Sequence, residues 1–413
     1  MLMPKSAAGS CAVARTTVIF CVLAALCEGI DLQGAGVAAP GIAAEFGLNA
    51  RQLGNFLSAS TVGLFVGALI GGRAGDRIGR KRVLVASIAL FGLFSLLTPL
   101  ATGIGTLSAA RLLTGLGLGG ALPNLIALTA ESSPDHRRSA NVALTYSGAP
   151  FGGAIASGVS LIMGAAHWRW IFIVGGVVPL LLAPIMAWAL PESLAFQQAQ
   201  ADSGRGPGPG RGHERIGELV GHGRAARTLL LWLSFFLGLL MLYLLLGWLP
   251  TLLAGVGLTH AQAAGAQIGF NVGGGITALW IGVLLEGRWR ACSIVVTLLA
   301  LPICLLALAQ SPPLLLPVLL LVLALGCAVL AAQSFLYATA PSLYPIAIRG
   351  IGVGAAVAVG RIGSIVGPLL AGALKGMGHG SSRLLMDLLP IAIAGSLSAL
   401  WLAWLAPKRA GDA

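Results

Sequence analysis

The chain has 413 residues, of which 57% are hydrophobic and only 9% are charged, and its mean hydropathy is +0.92. Soluble domains use about 25% charged residues, so this composition excludes an ordinary soluble protein and indicates a polytopic membrane protein. In a soluble chain, the net charge of +12 would suggest a nucleic-acid partner. In a membrane protein, the interpretation depends on which loops carry the basic residues.

Apolar runs of about 20 residues, long enough to cross a bilayer as helices, recur twelve times. The runs are continuous rather than alternating, which predicts helices and not a β-barrel. The predicted fold class is therefore an all-α integral membrane protein with twelve transmembrane helices in two six-helix halves. The predicted spans are residues 16–38, 53–72, 83–101, 106–130, 139–163, 168–190, 227–253, 262–285, 291–309, 313–340, 349–374 and 384–406.

The first predicted span overlaps a segment that imitates a secretory signal peptide, residues 1–27. The apolar pattern continues beyond Cys27 into GIDLQGAGVAAP, so we expect a retained helix. The six cysteines lie mostly within or beside spans and have no metal-ligand spacing. We therefore expect small apolar packing residues, with no disulfide framework, no metal and no cofactor.

The basic residues are distributed unevenly between the loops. With both termini in the cytoplasm, cytoplasmic segments hold 19 of the 25 Lys and Arg residues, the opposite side holds four, and Arg111 and Arg361 lie inside spans. This imbalance follows the positive-inside rule. We predict a multi-pass protein of the bacterial inner membrane with both termini cytoplasmic, in contact with the lipid bilayer and with no nucleic-acid partner.

A polar segment separates the sixth and seventh spans. Its sequence, ADSGRGPGPGRGHERIGELVGHGRAAR, is rich in Gly, Pro and Arg and has no apolar run, which is typical of a flexible linker. We predict an N-terminal half over 1–190, a cytoplasmic linker over 191–226 and a C-terminal half over 227–413. Weak internal repeats indicate a duplication. The paired positions are Gly72 with Gly282, Asp76 with Glu286, and Pro150 with Pro368.

The loop between spans 2 and 3 reads GGRAGDRIGRKRVL, residues 71–84. Gly72 and Gly75 would allow close helix contact, and Asp76 is an acceptor suited to the amino end of a helix. The basic residues, among them Arg77 and Arg80, would anchor to anionic headgroups. A loop that serves only to hold positive charge in the cytoplasm is the simpler alternative.

This loop resembles the signature of the major facilitator superfamily between helices 2 and 3. RLLTGLGLGGALPNLIALTAE, which begins at Arg111, resembles the helix 4 signature of the same superfamily, and LPESLAF and PSLYPIAIRGIGVG extend the resemblance along the chain. The resemblance implies transport by alternating access. It also implies that the loop locks one conformation, with Gly72, Asp76, Arg77 and Arg80 as the lock residues.

Four ionisable residues lie inside predicted spans: Glu28, Asp31, Arg111 and Arg361. Such residues cost about 2.5 to 3.5 kcal/mol at the bilayer centre, so they usually have a partner or a function. Glu28 and Asp31 are three residues apart and share a helix face, and two like charges there cannot both ionise cheaply. A proton carrier needs this property, although acids that are merely satisfied by neighbours are the alternative.

Depth predicts a partner for Asp31. At about 1.5 Å per residue, Asp31 and Arg111 both lie about 8 Å from the outer surface of a roughly 30 Å core. We therefore predict that Arg111 pairs with Asp31, and less firmly with Glu28, when the acid is ionised. Protonation would release the pair, so we assign Glu28, Asp31 and Arg111 to proton coupling.

Arg361 lies near the middle of span 11, and we predict that it binds a substrate carboxylate. A structural bond to backbone carbonyls or to helix 1 is the alternative. Other polar and aromatic residues at similar depth could complete a site for a flat, ring-bearing substrate, although each alone suits packing equally well. These candidates are Asn124, Tyr146, Trp248, Asn271, Gln333 and Tyr337.

The stretch EGIDLQGAGVAAPGIA resembles the helix 1 signature of the aromatic acid/proton symporter family, with Glu28 where the family most often has Asp. The resemblance implies symport of a small aromatic acid with protons into the cell, by a transporter and not an enzyme. The closest alternative is a proton-driven exporter of amphipathic compounds, and a non-transporting sensor of aromatic acids is a third. We expect a monomer.

Overall fold

The computed structural model describes residues 7–193, 196, 219, 221, 224–286, 290–345 and 348–405, without the side chains of 7–13, 135 and 281–290. The described residues form thirteen α-helices. They are α1 (Ala7–Phe46), α2 (Ala50–Ile78), α3 (Arg80–Leu97), α4 (Ile104–Ser132), α5 (Arg138–Met163), α6 (Arg169–Ala189), α7 (Ala225–Gly255), α8 (His260–Glu286), α9 (Arg290–Gln310), α10 (Leu315–Thr339), α11 (Arg349–Gly376), α12 (Ser381–Asp387) and α13 (Leu389–Leu405).

Each predicted span coincides with one of these helices except the last, which consists of α12 and α13 with a break at Leu388. The first helix is continuous through Cys27, and at 40 residues it is much longer than the apolar run that predicted it. Ten of the described helical segments are long and apolar enough to cross a membrane. Large apolar side chains such as Ile162, Trp188 and Trp404 are exposed, which suits a surface in contact with lipid.

The described residues fall into two compact units. The first lies within Met1–Ile42 and Ala59–Gly206, and the second within Ala43–Ser58 and Pro207–Ala413. The predicted division into halves with a linker over 191–226 remains a prediction, because most of that segment is outside the described residues. The second copy of the charged loop, with Glu286, also has no described side chains.

Glycines hold the helices of the first unit together. An added Cβ at Gly63 or Gly67 of α2 would overlap the backbone of α4, and one at Gly115 or Gly119 of α4 would overlap α2. An added Cβ at Gly29 would likewise overlap a carbonyl oxygen of α5. In a bilayer, helix association depends on such close backbone packing because lipid supplies no hydrophobic drive between helices.

Glycines also allow close helix packing in the second unit. Gly363 and Gly367 of α11 lie against backbone carbonyls of α7, and Gly326 of α10 lies against the carbonyl of Phe270 in α8. These contacts fix which residues of α7, α8, α10 and α11 share a level, and therefore they position the polar side chains of this unit.

Candidate functional site

The first unit contains the ion pair that depth predicted between α1 and α4. Arg111 Nη1 donates to Asp31 Oδ1 at 3.1 Å, and Nη2 donates to Oδ2 at 3.0 Å. Nη2 also donates to the backbone carbonyl of Asp31 at 3.1 Å. Both side chains are 0% exposed. The guanidinium thus binds the carboxylate with two parallel hydrogen bonds, which is the strongest geometry for such a pair.

Aromatic and small residues position this pair. The Cζ atom of Arg111 lies 5.2 Å from the ring centroid of Phe172 in α6, within the range of a cation–π contact. Gly175, one turn along α6, lies beside Asp31, because an added Cβ there would be 3.6 Å from Oδ1. The pair is therefore enclosed by α6 as well as by its own two helices.

Glu28 lies one turn before Asp31 and is also buried. The neighbouring Gly29 lets α5 approach this turn, since an added Cβ would overlap the carbonyl oxygen of Ala149. Gln33, which the sequence analysis did not select, is buried on the same helix and its Nε2 donates to that carbonyl at 3.5 Å. The two acids therefore lie one turn apart in a tightly packed environment, in which two negative charges would repel each other.

The second unit contains Arg361, which is buried on α11. Its Nη1 donates to the hydroxyl of Tyr243 in α7 at 2.7 Å, and its Cζ lies 5.9 Å from the centroid of that ring. Tyr243 was missed by the sequence analysis. Its position as a lone hydroxyl in the run LLMLYLLLGW was the signal that could have identified it.

The other predicted substrate residues have diverse surroundings. Asn124 Nδ2 donates to the carbonyls of Gly71 and Gly120 at 3.0 and 2.9 Å, so its amide joins α2 to α4. Trp248 Nε1 donates to the carbonyl of Pro368 at 3.1 Å and joins α7 to α11. Each of these bonds joins two helices, and a substrate-binding role for Asn124 and Trp248 stays a prediction.

Two predicted aromatic residues remain. Tyr146 of α5 is exposed. Tyr337 of α10 packs edge-on against Phe235 of α7, with ring centroids 5.1 Å apart. Gln333, one turn before Tyr337, is buried and lies against Gly238 of α7. Tyr337 and Gln333 therefore share the face of α10 that meets α7.

Three buried amides of the second unit have atoms for which the described residues provide no hydrogen-bond partner. They are Gln267, which is 0% exposed, Asn271, which is 1% exposed, and Gln333. The atoms are Nε2 and Oε1 of Gln267, Nδ2 of Asn271 and Oε1 of Gln333. A buried polar group without a hydrogen bond costs about 1 to 3 kcal/mol. Asn271 and Gln333 were predicted from sequence, whereas Gln267 was not.

The predicted loop over residues 71–84 is helical on both sides of Gly79, because α2 ends at Ile78 and α3 begins at Arg80. Nothing lies within 4 Å of an added Cβ at Gly72, so the prediction that Gly72 allows close helix contact is wrong. Gly71 and Gly75 make the close contacts with α4 instead, because they face that helix. Gly79, with a φ of 108°, provides the turn into α3.

Charged residues link this loop to the ends of α4 and α6. Arg80 contacts Asp76 at 3.5 Å and forms an ion pair with Glu131, which also accepts from the Ser193 hydroxyl. Glu192 Oε1 accepts from the backbone N–H of Lys81 at 2.9 Å. Asp76 itself is 71% exposed, and Arg77 is exposed too. Arg80, rather than Asp76, is thus the centre of the interactions at this loop.

Two of the described histidines bond to residues outside these clusters. His167 Nδ1 is 3.0 Å from the carbonyl of Met163, and His379 pairs with Asp387 at 2.5 Å near the ends of helices. In the part of the chain that the structure describes, no group of three or more His, Cys, Asp or Glu residues could hold a metal ion.

Comparison with known families gives a match over most of the chain. The model of the Major Facilitator Superfamily matches residues 21–368. The 3-(3-hydroxy-phenyl)propionate transporter of Escherichia coli is 42% identical over 92% of both chains. The gallate transporter of Pseudomonas putida is 35% identical over 93% of this chain and 90% of the relative. The 4-hydroxybenzoate transporter PcaK of Pseudomonas aeruginosa is a further sequence relative, 33% identical over 91% of this chain and 90% of its own length.

Solved structures share the fold at low sequence identity. The inward-open xylose transporter XylE from E. coli superposes with a TM-score of 0.75 at 19% identity, and the match covers 97% of this chain and 98% of XylE.

Proposed function

Because this chain belongs to the major facilitator superfamily, we propose that it imports an aromatic carboxylate such as 3-(3-hydroxyphenyl)propionate together with protons, by alternating access. The chain is a multi-pass membrane transporter and not an enzyme. We further propose that it functions in the bacterial inner membrane with both termini in the cytoplasm, and that it is a monomer.

The observation that carries the proton-coupling part of this proposal is the buried ion pair between Asp31 and Arg111. A proton on Asp31 removes the negative charge that Arg111 binds, and therefore weakens both carboxylate hydrogen bonds at once. Glu28, one turn away, raises the cost of a second negative charge at this site. Proton binding is thereby tied to a change in the contact between α1 and α4.

Arg361 supports the anionic nature of the substrate. The hydroxyl of Tyr243 is neutral, so its bond to Arg361 orients the guanidinium without cancelling the positive charge. A guanidinium has five N–H donors in a planar fork, which suits a carboxylate while the Tyr243 bond is kept.

Membrane energetics agree with symport. An inside-negative potential opposes entry of an anion by about 2.3 kcal/mol per charge per 100 mV. Accumulation of a carboxylate therefore requires at least one accompanying proton. The paired acid of the first unit would carry the proton, and the guanidinium of the second unit would carry the anion.

The cytoplasmic loop completes the proposal. We assign Asp76, Arg77 and Arg80 to a lock that stabilises one state of the transport cycle. Arg80 already holds the loop to the end of α4 through Glu131. The exposed carboxylate of Asp76 is available to exchange partners during the cycle.

The test is uptake of radiolabelled 3-(3-hydroxyphenyl)propionate into proteoliposomes that contain the full chain. A pH gradient that is acidic outside should drive accumulation, and a protonophore should abolish it. Arg111→Ala should abolish accumulation, whereas Thr114→Ala, one turn along the same helix, should preserve it. Accumulation by Arg111→Ala would refute the switch, and gradient-driven efflux without uptake would favour the exporter.

A further inference from the structure

Gln267 and Asn271 are four residues apart on α8, so they lie on one face of the helix. This face adjoins the stripe, formed by Phe270 and Gly274, that packs against α10. Both side chains are almost completely buried, yet three of their four amide atoms have no hydrogen-bond partner within the described chain. Buried polar groups of native proteins are normally satisfied, so such a pair points to a bound group that supplies the missing bonds.

Helix contacts place these amides relative to the rest of α10. The carbonyl of Phe270 lies against Gly326, so residues 270 and 326 share a level. Gln333 is seven residues further along α10, which at 1.5 Å per residue is roughly 10 Å nearer the carboxyl end of that helix. Asn271 is therefore about 9 Å from the level of Gln333 along the bundle.

The guanidinium of Arg361 lies near the level of Gln333. Gln333 lies against Gly238 of α7. The Arg361 backbone lies near Phe235, because an added Cβ at the adjoining Gly360 contacts the Phe235 carbonyl, whereas Nη1 bonds Tyr243, so the two levels on α7 bracket Gly238. Along the helix axes, Asn271 is thus about 9 Å from the level of Gln333, and Gln267, one turn earlier on α8, is about 15 Å from it. A hydroxyphenylalkanoate carries its carboxylate and its hydroxyl at opposite ends of the molecule, and its length plus a hydrogen bond of about 3 Å at each end is of the same order as these separations.

We propose that Gln267 and Asn271 recognise the ring hydroxyl of the aromatic acid while Arg361 holds the carboxylate. An amide offers both a donor and an acceptor, and a phenol hydroxyl both donates and accepts, so the two groups are complementary. The amides carry no charge, so they do not attract a second carboxylate. This inference rests on the proposed function and adds to it the feature by which hydroxylated acids are distinguished from unsubstituted ones.

The test compares two substrates on the same protein. Proteoliposomes with the full chain take up labelled 3-(3-hydroxyphenyl)propionate or labelled 3-phenylpropionate under a pH gradient, and the KM is measured for each. A site built to hydrogen-bond a hydroxyl rejects an analogue that lacks it, so the wild type should prefer the hydroxylated acid by about tenfold or more. Gln267→Leu and Asn271→Leu should bring the two KM values together, by weakening binding of the hydroxylated acid alone.

A matched control is Gln262→Leu, the same chemical change on the same helix. Gln262 Oε1 accepts from the backbone N–H of Thr259 at the start of α8 and is not part of the pair, so its KM ratio should equal that of the wild type. Gln267→Asn, which only shifts the amide by one methylene, gives a milder change and should also lower the ratio. The ratio does not depend on how much of each variant folds.

Two results overturn the inference. The first is a wild type with equal KM for both acids, and the second is a ratio that survives in the Gln267 and Asn271 variants because both KM values rise together. Either would assign the amides to packing or to water while uptake itself remains proton-coupled. Failure of the wild type to take up either acid under a pH gradient would instead refute the proposed function.

Discussion

Removing one member of the Asp31 and Arg111 pair should be far more damaging than removing both. The closest N–O distance is 3.0 Å and both side chains are fully buried. With an effective dielectric constant of about 20, two unit charges at this distance attract each other by about 5.5 kcal/mol. Loss of one partner leaves a buried, unpaired charge, which typically costs about 3 to 5 kcal/mol.

The perturbation is a double-mutant cycle of Asp31→Asn, Arg111→Gln and the two together. Each single variant should lose about 3 to 5 kcal/mol of stability, whereas the double variant, which leaves neither charge of the pair without its partner, should recover at least about 2 kcal/mol of the summed loss. The measurement is the unfolding equilibrium of the purified full chain in mixed micelles as denaturing detergent is added. Thr114→Ala, a buried control on α4, should lose no more than about 1 kcal/mol.

The two single variants should also differ in pH dependence. In Arg111→Gln the remaining carboxylate can be neutralised by a proton, so the loss of stability should be smaller in acid than at neutral pH. In Asp31→Asn the remaining guanidinium cannot lose its proton, so lowering the pH should not reduce the loss of stability. Additive losses in the double variant, or equal pH dependence of the two singles, would refute the reasoning.

Three other changes test separate parts of the structure. Tyr243→Phe should raise the KM for an aromatic carboxylate by about tenfold or more without lowering the maximal rate equally, because Arg361 loses the charge-assisted bond that orients it; an unchanged KM would contradict this. Gly29→Ala should prevent stable packing of α1 on α5, while Gly105→Ala, where nothing lies within 4 Å of the added Cβ, should leave the melting temperature of the purified chain unchanged or raised. Glu192→Gln should lower the melting temperature only slightly, because an amide oxygen can still accept from the backbone of α3, whereas Glu192→Ala should lower it clearly; equal losses would argue against that bond.

The candidate proton site could be predicted from sequence because its geometry is nearly one-dimensional. Asp31 and Arg111 were matched by counting residues from the ends of two antiparallel spans, and the helical rise converts that count to depth. The same reasoning could not identify Tyr243 as the partner of Arg361. That contact depends on the rotation of α7 about its own axis, which its almost uniformly apolar sequence does not reveal.

The buried amide side chains show a second limit of prediction from sequence. Asn124 and Gln267 both carry an amide in an apolar helix. The Asn124 side chain donates hydrogen bonds to two backbone carbonyls, whereas the Gln267 side chain has no hydrogen-bond partner among the described residues. The difference arises from what the neighbouring helix presents at that level. Gly72 illustrates the same point, since Gly71 and Gly75 face α4 and Gly72 does not.

The sequence by itself determined the class of fold, the number and order of the spans, and the pairing of Asp31 with Arg111. It could do so because bilayer thickness and the need to satisfy every backbone hydrogen bond act on each segment independently. Only the tertiary structure decided which polar side chains join helices and which buried amides have no hydrogen-bond partner among the described residues. That choice depends on the rotation and close approach of helices through their glycines, which are properties of pairs of helices rather than of any one segment.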